Sequence, residues 1–407
     1  MKKNNKKITF VNEYYPPDYA PTGQLINDLA ERLGELKYKV QILTSFPYYA
    51  NTESKTFHKE KKKNLLIWRT KFTRIFKNYK IFNLLKSFLF SLRIFFKLIF
   101  SSRDTDLIFF TTVPPFMMVF GYLTSLITKT PYIVILFDLI PENLIDLKFI
   151  RTNHPFTKLI LFLRNLAVKK SKYTIVLSTN MYDRFKKQLP SIGNKLKIIS
   201  TWEDSKKLYK IPQEKNKYIK NFNLGDKFVI LYSGNQGRGH DMKTILKSAK
   251  KLASYKNIVF MFVGNGFHNK NIRNYIKYWD LSNCMILPYQ PQKDLIYLLS
   301  AADLGLVSVS EEATDIVAPS KLNGHLACEN AVGVISSKKS YLKNIVEKNE
   351  LGMWFENNDY INLSKWILEL KSDNKILGEY KKNSKAFFLE NANRLVTLDK
   401  YISLIEN

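Results

Sequence analysis

Residues 230–241 read ILYSGNQGRGHD. A β-type run from Phe228 to Tyr232 breaks into Gly234, Gly237 and Gly239, and a helical pattern resumes near Met242. Strand, glycine loop and helix in that order make a phosphate-cradling turn: glycine lets the backbone approach an anion closely, and a helix N-terminus offers it unpaired N–H groups. The loop follows neither G-x-G-x-x-G nor the Walker A pattern, and a tight turn that needs positive φ has the same composition. Its place decides the fold. A dinucleotide-binding fold carries its glycine loop near its start, whereas this one stands past the middle of a 407-residue chain.

The runs on either side explain the position. Before it come ITFVNEYY (8–15), KVQILTSFP (39–47), LLIWRTKF (65–72), DLIFFTTVPP (106–115), YIVILFDLIP (132–141), YTIVLS (173–178) and LKIIST (196–201), alternating with helical patterns. After it come IVFMFVGNG (258–266), CMILPYQ (284–290), LGLVSVS (304–310) and VGVISS (332–337). Short β-branched and aromatic runs separated by helical stretches indicate parallel βαβ construction. The Lys- and Asn-rich stretch between the two series reads as a linker. The predicted organisation is therefore a Rossmann-like domain over 1–205, a linker over 206–226 and a second Rossmann-like domain over 227–390. A C-terminal helix, 391–407, is expected to pack back toward the first domain. Glycine loop 234–239 opens the second domain. Two such α/β domains facing each other across a cleft is the GT-B architecture, with strand ends and helix N-termini pointing into the cleft.

Composition narrows the chemistry. Lys plus Arg number 64 against 35 Asp plus Glu, a net charge of +29. Such a field attracts anions: nucleic acid, phosphorylated small molecules or an acidic membrane face. Abundant Lys, Asn, Ile, Phe and Tyr also fit an AT-rich coding bias. Cys284 and Cys328 belong to no C-x-x-C or Cys/His cluster, so neither a disulfide framework nor a zinc site is expected, and a reducing cytosol fits best. MKKNNKK runs straight into a strand without the apolar core of a signal peptide, and no stretch of 18 uncharged apolar residues suggests a spanning helix.

Two further loops carry chemistry. FVGNGF (262–267) ends a strand in a glycine pair, and VAPSKLNGHLA (317–327) places Ser320 and Lys321 behind Pro319, in a helix's first turn. A lysine there is disfavoured by the helix dipole unless an anion neutralises it; a solvated lysine is the plainer alternative. Taken together, these stretches resemble family 4 glycosyltransferases of the surface-polysaccharide branch, the colanic-acid and fucosaminyltransferase-like enzymes of bacteria. The matching residues are Tyr232, Ser233, Gly234, Asn235, Gly237, Arg238 and His240, then Phe262 to Gly266, Pro288 to Pro291, Ala301 to Asp303, and Pro319 to Gly324. In the first half Tyr15, Pro16, Pro17, Thr22 and Gly23 match the family's opening loop, TVPPF (112–116) its Pro-Pro element, and Asp138, Pro141 and Glu142 its Asp-Leu-Trp-Pro-Glu motif, with Ile140 in place of Trp. The resemblance spans nearly the whole chain. It departs at Cys328-Glu329-Asn330-Ala331-Val332, where the family runs Ala-Gly-Arg-Pro-Val, and at Gly324, where the broader family carries the second of two glutamates.

The resemblance implies a retaining transfer from a nucleotide diphosphate sugar, UDP-linked, to a lipid-linked or glycan acceptor in cell-surface polysaccharide or O-antigen synthesis, with no cofactor and no metal. Charge developing on the leaving diphosphate must be stabilised. Arg238 and Lys321 are the expected catalytic cations, aided by the amides of Gly234 to Gly237 and the helix after Lys321. Asn235, His240, Gly264, Gly266, Pro319, Ser320 and Gly324 complete the donor side, and Glu311 or Glu312 accepts from sugar hydroxyls. Asp138 is expected to orient or polarise the acceptor hydroxyl, with Tyr15, Thr22, Gly23 and Glu142 on the acceptor side. Asp104-Thr105-Asp106 spells a D-x-D metal motif but precedes a strand, at the edge away from the cleft.

LLKSFLFSLRIFFKLIF (84–100) is apolar apart from Lys86, Arg93 and Lys97, whose spacing puts them on one side of a helix. With Lys59 to Lys63, Lys71, Arg74, Lys77 and Lys80 upstream, it reads as an interfacial helix on anionic lipid, which places the chain in the cytoplasm, peripheral on the inner membrane face. An ordinary Rossmann helix has the same periodicity. Three rivals stay open: a sugar-nucleotide 2-epimerase on the same fold, an inactive family member, and a basic nucleic-acid binder. The last lacks any helix-turn-helix, zinc or RNP signature, so no nucleic-acid partner is expected.

Overall fold

The structure is a computed structural model that describes residues 6–18, 20–47, 56–70, 83–101, 104–146 and 150–406. The basic residues Lys71, Arg74, Lys77 and Lys80 lie outside the described residues. The chain divides into two compact units, Met1–Ser200 with Leu398–Asn407, and Thr201–Thr397.

In the first unit the strands are β1 (Lys7–Val11), β2 (Lys39–Ser45), β3 (Lys59–Lys62), β4 (Leu65–Thr70), β5 (Leu107–Thr111), β6 (Tyr132–Leu136), β7 (Tyr173–Val176) and β8 (Leu196–Ile198). They form one sheet in the order β3-β4-β2-β1-β5-β6-β7-β8, parallel except for the β3–β4 pair. The central strands are apolar on both faces because helices cover both: every residue of β5 and β6 is buried. The helices that matter below are α1 (Pro21–Glu35), α2 (Asn83–Ser101), α3 (Met117–Thr128), α4 (Glu142–Asp146), α5 (Pro155–Lys170) and α6 (Thr179–Gln188).

The second unit carries β9 (Phe228–Ser233), β10 (Ile258–Val263), β11 (Cys284–Leu287), β12 (Leu304–Ser308), β13 (Ala331–Ile335) and β14 (Gly352–Phe355), all parallel in the order β11-β10-β9-β12-β13-β14. Its helices include α7 (Lys217–Asn221), α8 (Met242–Lys251), α9 (Asn269–Tyr278), α10 (Leu295–Ser300) and α11 (Lys321–Ala327). Sheet and helices close around a core that includes Ile230, Phe260, Leu306, Ile335 and Trp366. Residues 206–226, predicted as a linker, lie inside this unit. Ile211 N donates to Ser300 Oγ at 2.9 Å and Asn216 Nδ2 to the Tyr297 carbonyl at 2.8 Å, which ties the stretch to α10.

Strand order reverses between β1 and β5 in the first sheet and between β9 and β12 in the second. In open α/β sheets the loops at such a switch point diverge and leave a crevice beyond the carboxyl ends of the strands. Loop 234–241 leaves β9 at the second of these.

Candidate active site

The crevice beyond β9 and β12 is built around one lysine. Lys321, the first residue of α11, sends its side chain back past Gly234, where a Cβ would stand 3.2 Å from Lys321 Cε. Its ammonium lies 5.3 Å from the centre of the Tyr232 ring and donates to His240 Nε2 at 3.3 Å. That is the only hydrogen-bond partner of the Lys321 ammonium among the described residues. Burial holds its pKa down at about 8, against an ordinary 10.5. His240 Nδ1 faces the Ser308 carbonyl at 2.7 Å, and burial, reinforced by the Lys321 charge, keeps the imidazole neutral down to about pH 3.

The neighbouring atoms are polar and underused. Among the described residues, Gln236 Nε2, His268 Nε2, Ser308 Oγ, Ser310 Oγ and Asn357 Oδ1 are buried without a hydrogen-bond partner. Buried polar groups are paired in the great majority of cases, so these atoms hold hydrogen-bonding capacity in reserve. A cavity of ≈ 440 Å³ adjoins them, lined by Arg238, His240, Lys243, His268, Tyr275, Glu311, Glu312 and Asn357 among others.

The glycine loop itself is less open than its composition suggests. Gly234 N donates to Val263 O and Gln236 N to Asn265 O, both at 2.8 Å, so the loop is laced to the one after β10. Two of the amides expected to hold diphosphate are thereby used. Gly264 explains the lacing: at φ 127° a Cβ there would stand 2.1 Å from the Gly234 carbonyl oxygen. Gly264 and Gly266 thus serve loop-to-loop packing. Gly324 is buried against Leu299 of α10. Asn235 is exposed, its carbonyl accepting from the Tyr232 hydroxyl at 3.1 Å, and a Cβ on Gly237 would meet the Asn235 amide at 3.2 Å. The Arg238 guanidinium rests on the Phe267 ring, 3.8 Å from its centre, on the cavity wall with Glu311 and Glu312. Pro319 is buried; Ser320 is exposed and its side chain caps nothing.

Three partners escaped the sequence reading. Ser308 acts through its carbonyl, and Gln236 and Asn357 act from loops, none of which leaves a pattern. Asn357 donates to Asp241 Oδ2 and to the Val309 carbonyl, both at 3.0 Å. Asp241 caps α8, accepting from Thr244 N at 3.0 Å.

In the first unit Asp138 follows β6 and is half-buried. Burial raises its carboxyl above the usual range, and no hydrogen bond or ion pair to it occurs among the described residues. Glu142 differs. It is 1% exposed and paired with Arg164 at 2.6 Å, and Arg164 also reaches Gln188 Oε1 at 3.3 Å. A carboxylate buried at the start of α4 has to be paired, and Arg164 is that partner. Tyr15 is buried, its hydroxyl donating to Asn27 Oδ1 at 2.8 Å. Thr22 is half-buried in the first turn of α1, and a Cβ on Gly23 would stand 2.9 Å from the Tyr14 carbonyl oxygen, a packing demand. Asp104 pairs with the Lys7 ammonium at 2.6 Å and Asp106 accepts from Lys7 N at 2.7 Å.

The three cations of α2 differ in their surroundings. Lys86 is 3% exposed, and Arg93 and Lys97 lie over the Trp68 ring of β4, 5.6 and 5.5 Å from its centre. Beside the exposed Arg93, α2 exposes the apolar Leu85, Phe88, Phe96 and Phe100. α3 packs beside α2 through Phe88, Phe95 and Phe120, and α5 packs beside α3. Leu123, Leu126 and Ile127 on α3 and Leu159 and Phe162 on α5 are exposed as well. No helix of the described residues is long and apolar enough to cross a membrane.

Two Rossmann-like units, each with a strand-order reversal in its sheet, define the GT-B fold. Residues 213–387 match the family model "Glycosyl transferases group 1". The chain is 22% identical over 321 residues to a probable glycosyltransferase, WbjE, of Pseudomonas aeruginosa, covering 79% of this chain and 78% of that protein. Over 102 residues, a quarter of each chain, it is 32% identical to WcaI of Escherichia coli K12, a putative colanic acid biosynthesis glycosyl transferase. The crystal structure of Anabaena HepE in complex with UDP superposes with a TM-score of 0.70 at 13% identity, covering 98% of this chain and 99% of that one. The family match and relatives support a glycosyltransferase.

Proposed function

We propose that the chain moves a sugar, with retention at the anomeric carbon, from a UDP-linked donor to a lipid-linked or glycan acceptor in surface polysaccharide synthesis, as a family 4 enzyme of the colanic-acid type. The observation that carries this reading is Lys321, a half-buried ammonium held by an imidazole with no carboxylate on it. A partly desolvated cation without a counter-ion is held at a cost that an arriving anion relieves. The leaving UDP supplies that anion, and its charge grows as the sugar–phosphate bond breaks, so the stabilisation is largest in the transition state. Arg238 follows it from the cavity wall. Glu311 and Glu312, exposed on the same wall, accept from sugar hydroxyls. In the first unit Asp138, its carboxyl raised by burial and unpaired, orients the acceptor hydroxyl and takes its proton.

The test is incubation with a panel of UDP-sugars and a lipid-linked or glycan acceptor. Acceptor-dependent release of UDP and a product of retained anomeric configuration, surviving EDTA, are expected. A donor epimerised without any acceptor contradicts the transferase reading.

The acceptor's setting follows from the apolar ridge of α2, α3 and α5. Exposed apolar patches of this kind mark interaction surfaces, and the exposed cations Arg93, Lys129 and Lys158 stand on the same three elements. Aromatic and aliphatic side chains beside cations suit an anionic lipid surface, where the rings enter the headgroup boundary and the lysines meet phosphate. Peripheral attachment at the cytoplasmic membrane face is the resulting placement. Co-sedimentation with liposomes rising with anionic lipid, and lost in Phe96→Glu/Phe162→Glu, is expected; equal pelleting of the double variant contradicts it.

A further inference from the structure

We infer that His240 is the positioning residue of Lys321: it anchors the lysine ammonium at the β9/β12 switch point through a neutral imidazole of fixed tautomer. The inference rests on the donor-site reading above and adds a role to a residue that the reading leaves as a simple donor contact.

The tautomer follows from hydrogen-bond polarity. The Ser308 carbonyl oxygen has only lone pairs, so the ring nitrogen 2.7 Å from it, Nδ1, carries the proton. Nε2 is then a bare acceptor. The Lys321 ammonium has three donors and no lone pair, so at 3.3 Å it donates to Nε2. A chain of fixed direction results, from Lys321 through His240 to the end of β12. The lysine stem is walled by Gly234, where any side chain would press on its Cε, and by the face of Tyr232. Only the terminal ammonium has freedom left, and Nε2 removes it.

The choice of imidazole has a chemical reason. A carboxylate in the same place would hold the ammonium more strongly but cancel its charge, leaving nothing for a diphosphate. A neutral acceptor fixes direction and leaves the full positive charge. The titratable groups around the pair do not upset this: Tyr232 on β9, His268 beyond β10 and His325 on α11 are all pushed toward their uncharged forms by burial. Glu311 and Glu312 beyond β12 are exposed, Arg238 lies on Phe267, and Asp241 is engaged with Thr244 and Asn357.

Two variants separate positioning from mere filling of space. His240→Phe keeps the ring and removes both bonds; His240→Gln keeps one donor and one acceptor. The first readout needs no ligand: the titration midpoint of the Lys321 amine, followed by NMR of labelled lysine and assigned with Lys321→Arg. It is expected near 8 in the wild type, lower in His240→Phe because the acceptor favouring the ammonium is gone, and restored in His240→Gln. The second is calorimetric titration with UDP, expected to weaken at least about tenfold in His240→Phe and to recover in His240→Gln. An unchanged amine midpoint with unchanged UDP affinity in a folded His240→Phe chain overturns the inference and leaves the donor site standing. A wild-type chain that does not bind UDP overturns the donor-site reading, and the shifted amine midpoint alone then decides whether His240 holds Lys321.

Discussion

The two units treat buried charge in opposite ways. The first pairs its charges internally, Glu142 with Arg164, Arg69 with Glu60 and Asp146 with Arg184, and leaves only Asp138 unpaired among the acids described above. Arg69 and Arg164 are among the largest fully buried side chains of the chain, and each has a carboxylate and a further oxygen within reach: the Pro16 carbonyl for Arg69, Gln188 for Arg164. The second unit keeps Lys321 on an imidazole and no carboxylate. A closed pair fixes backbone and has no capacity left for a ligand. An open cation holds less fold together and keeps its charge for an anion that comes and goes. Motif position alone makes Glu142 and Lys321 look equally functional; pairing separates them.

Glu142→Ala is the harshest way to test the closed side. It strands Arg164 in the core, and removing one partner of a buried pair costs about 3–5 kcal/mol. The expected outcome is a large drop in the melting temperature of the first unit. A near wild-type melt breaks the comparison. On the open side, Lys321→Ala is expected to leave the melt nearly unchanged and to lower transfer by about two to three orders of magnitude, about 2.7–4 kcal/mol of transition-state stabilisation; steady-state kinetics decide.

Acid sharpens the contrast further. His240 and His325 both have folded pKa values held down to about 3. Their neutral forms contribute stability that is present above the unfolded value near 6.5 and lost as pH falls from there toward 3. At pH 5, roughly 1.5 units below the unfolded value, the loss for fully buried His325 is on the order of 2 kcal/mol. Melts between pH 7 and 4 should show the second unit losing stability over that window, less steeply in His240→Gln. A flat profile is the opposing result.

The smallest effect concerns the turn after α11. Glu329 adopts φ 57°, at the place where the resembled family carries glycine. A left-handed non-glycine residue costs about 1–2 kcal/mol, and the half-exposed pair of Glu329 with Lys385 offsets little of it. Glu329→Gly is expected to stabilise the chain by about 1 kcal/mol in denaturant melts; a destabilised variant contradicts this account of the turn.

Much of the fold was legible because parallel strands buried on both faces read as unbroken apolar runs. Phe228–Ser233, Ile258–Val263 and Leu304–Ser308 fall inside the runs read from the sequence. Strand β3, with the sequence KEKK, was not legible: it is an antiparallel edge strand, and charge along an edge is how a sheet avoids further pairing. At the site, Lys321 and His240 were legible from their loops, since both carry their chemistry in the side chain. Ser308 was not, because it acts through a carbonyl. The packing role of Gly264 was not legible because close approach of two backbones and close approach to a phosphate demand the same residue. The burial of Lys86 was not legible because helical spacing identifies a face but not what covers it.

The central claim is that Lys321 is an anion-binding cation and not a structural one. Calorimetric titration of UDP into the wild-type chain and into Lys321→Ala tests it directly. The account predicts saturable binding by the wild type, weakened at least about tenfold in a variant whose melting curve is unchanged. Equal affinity for the two proteins would contradict it.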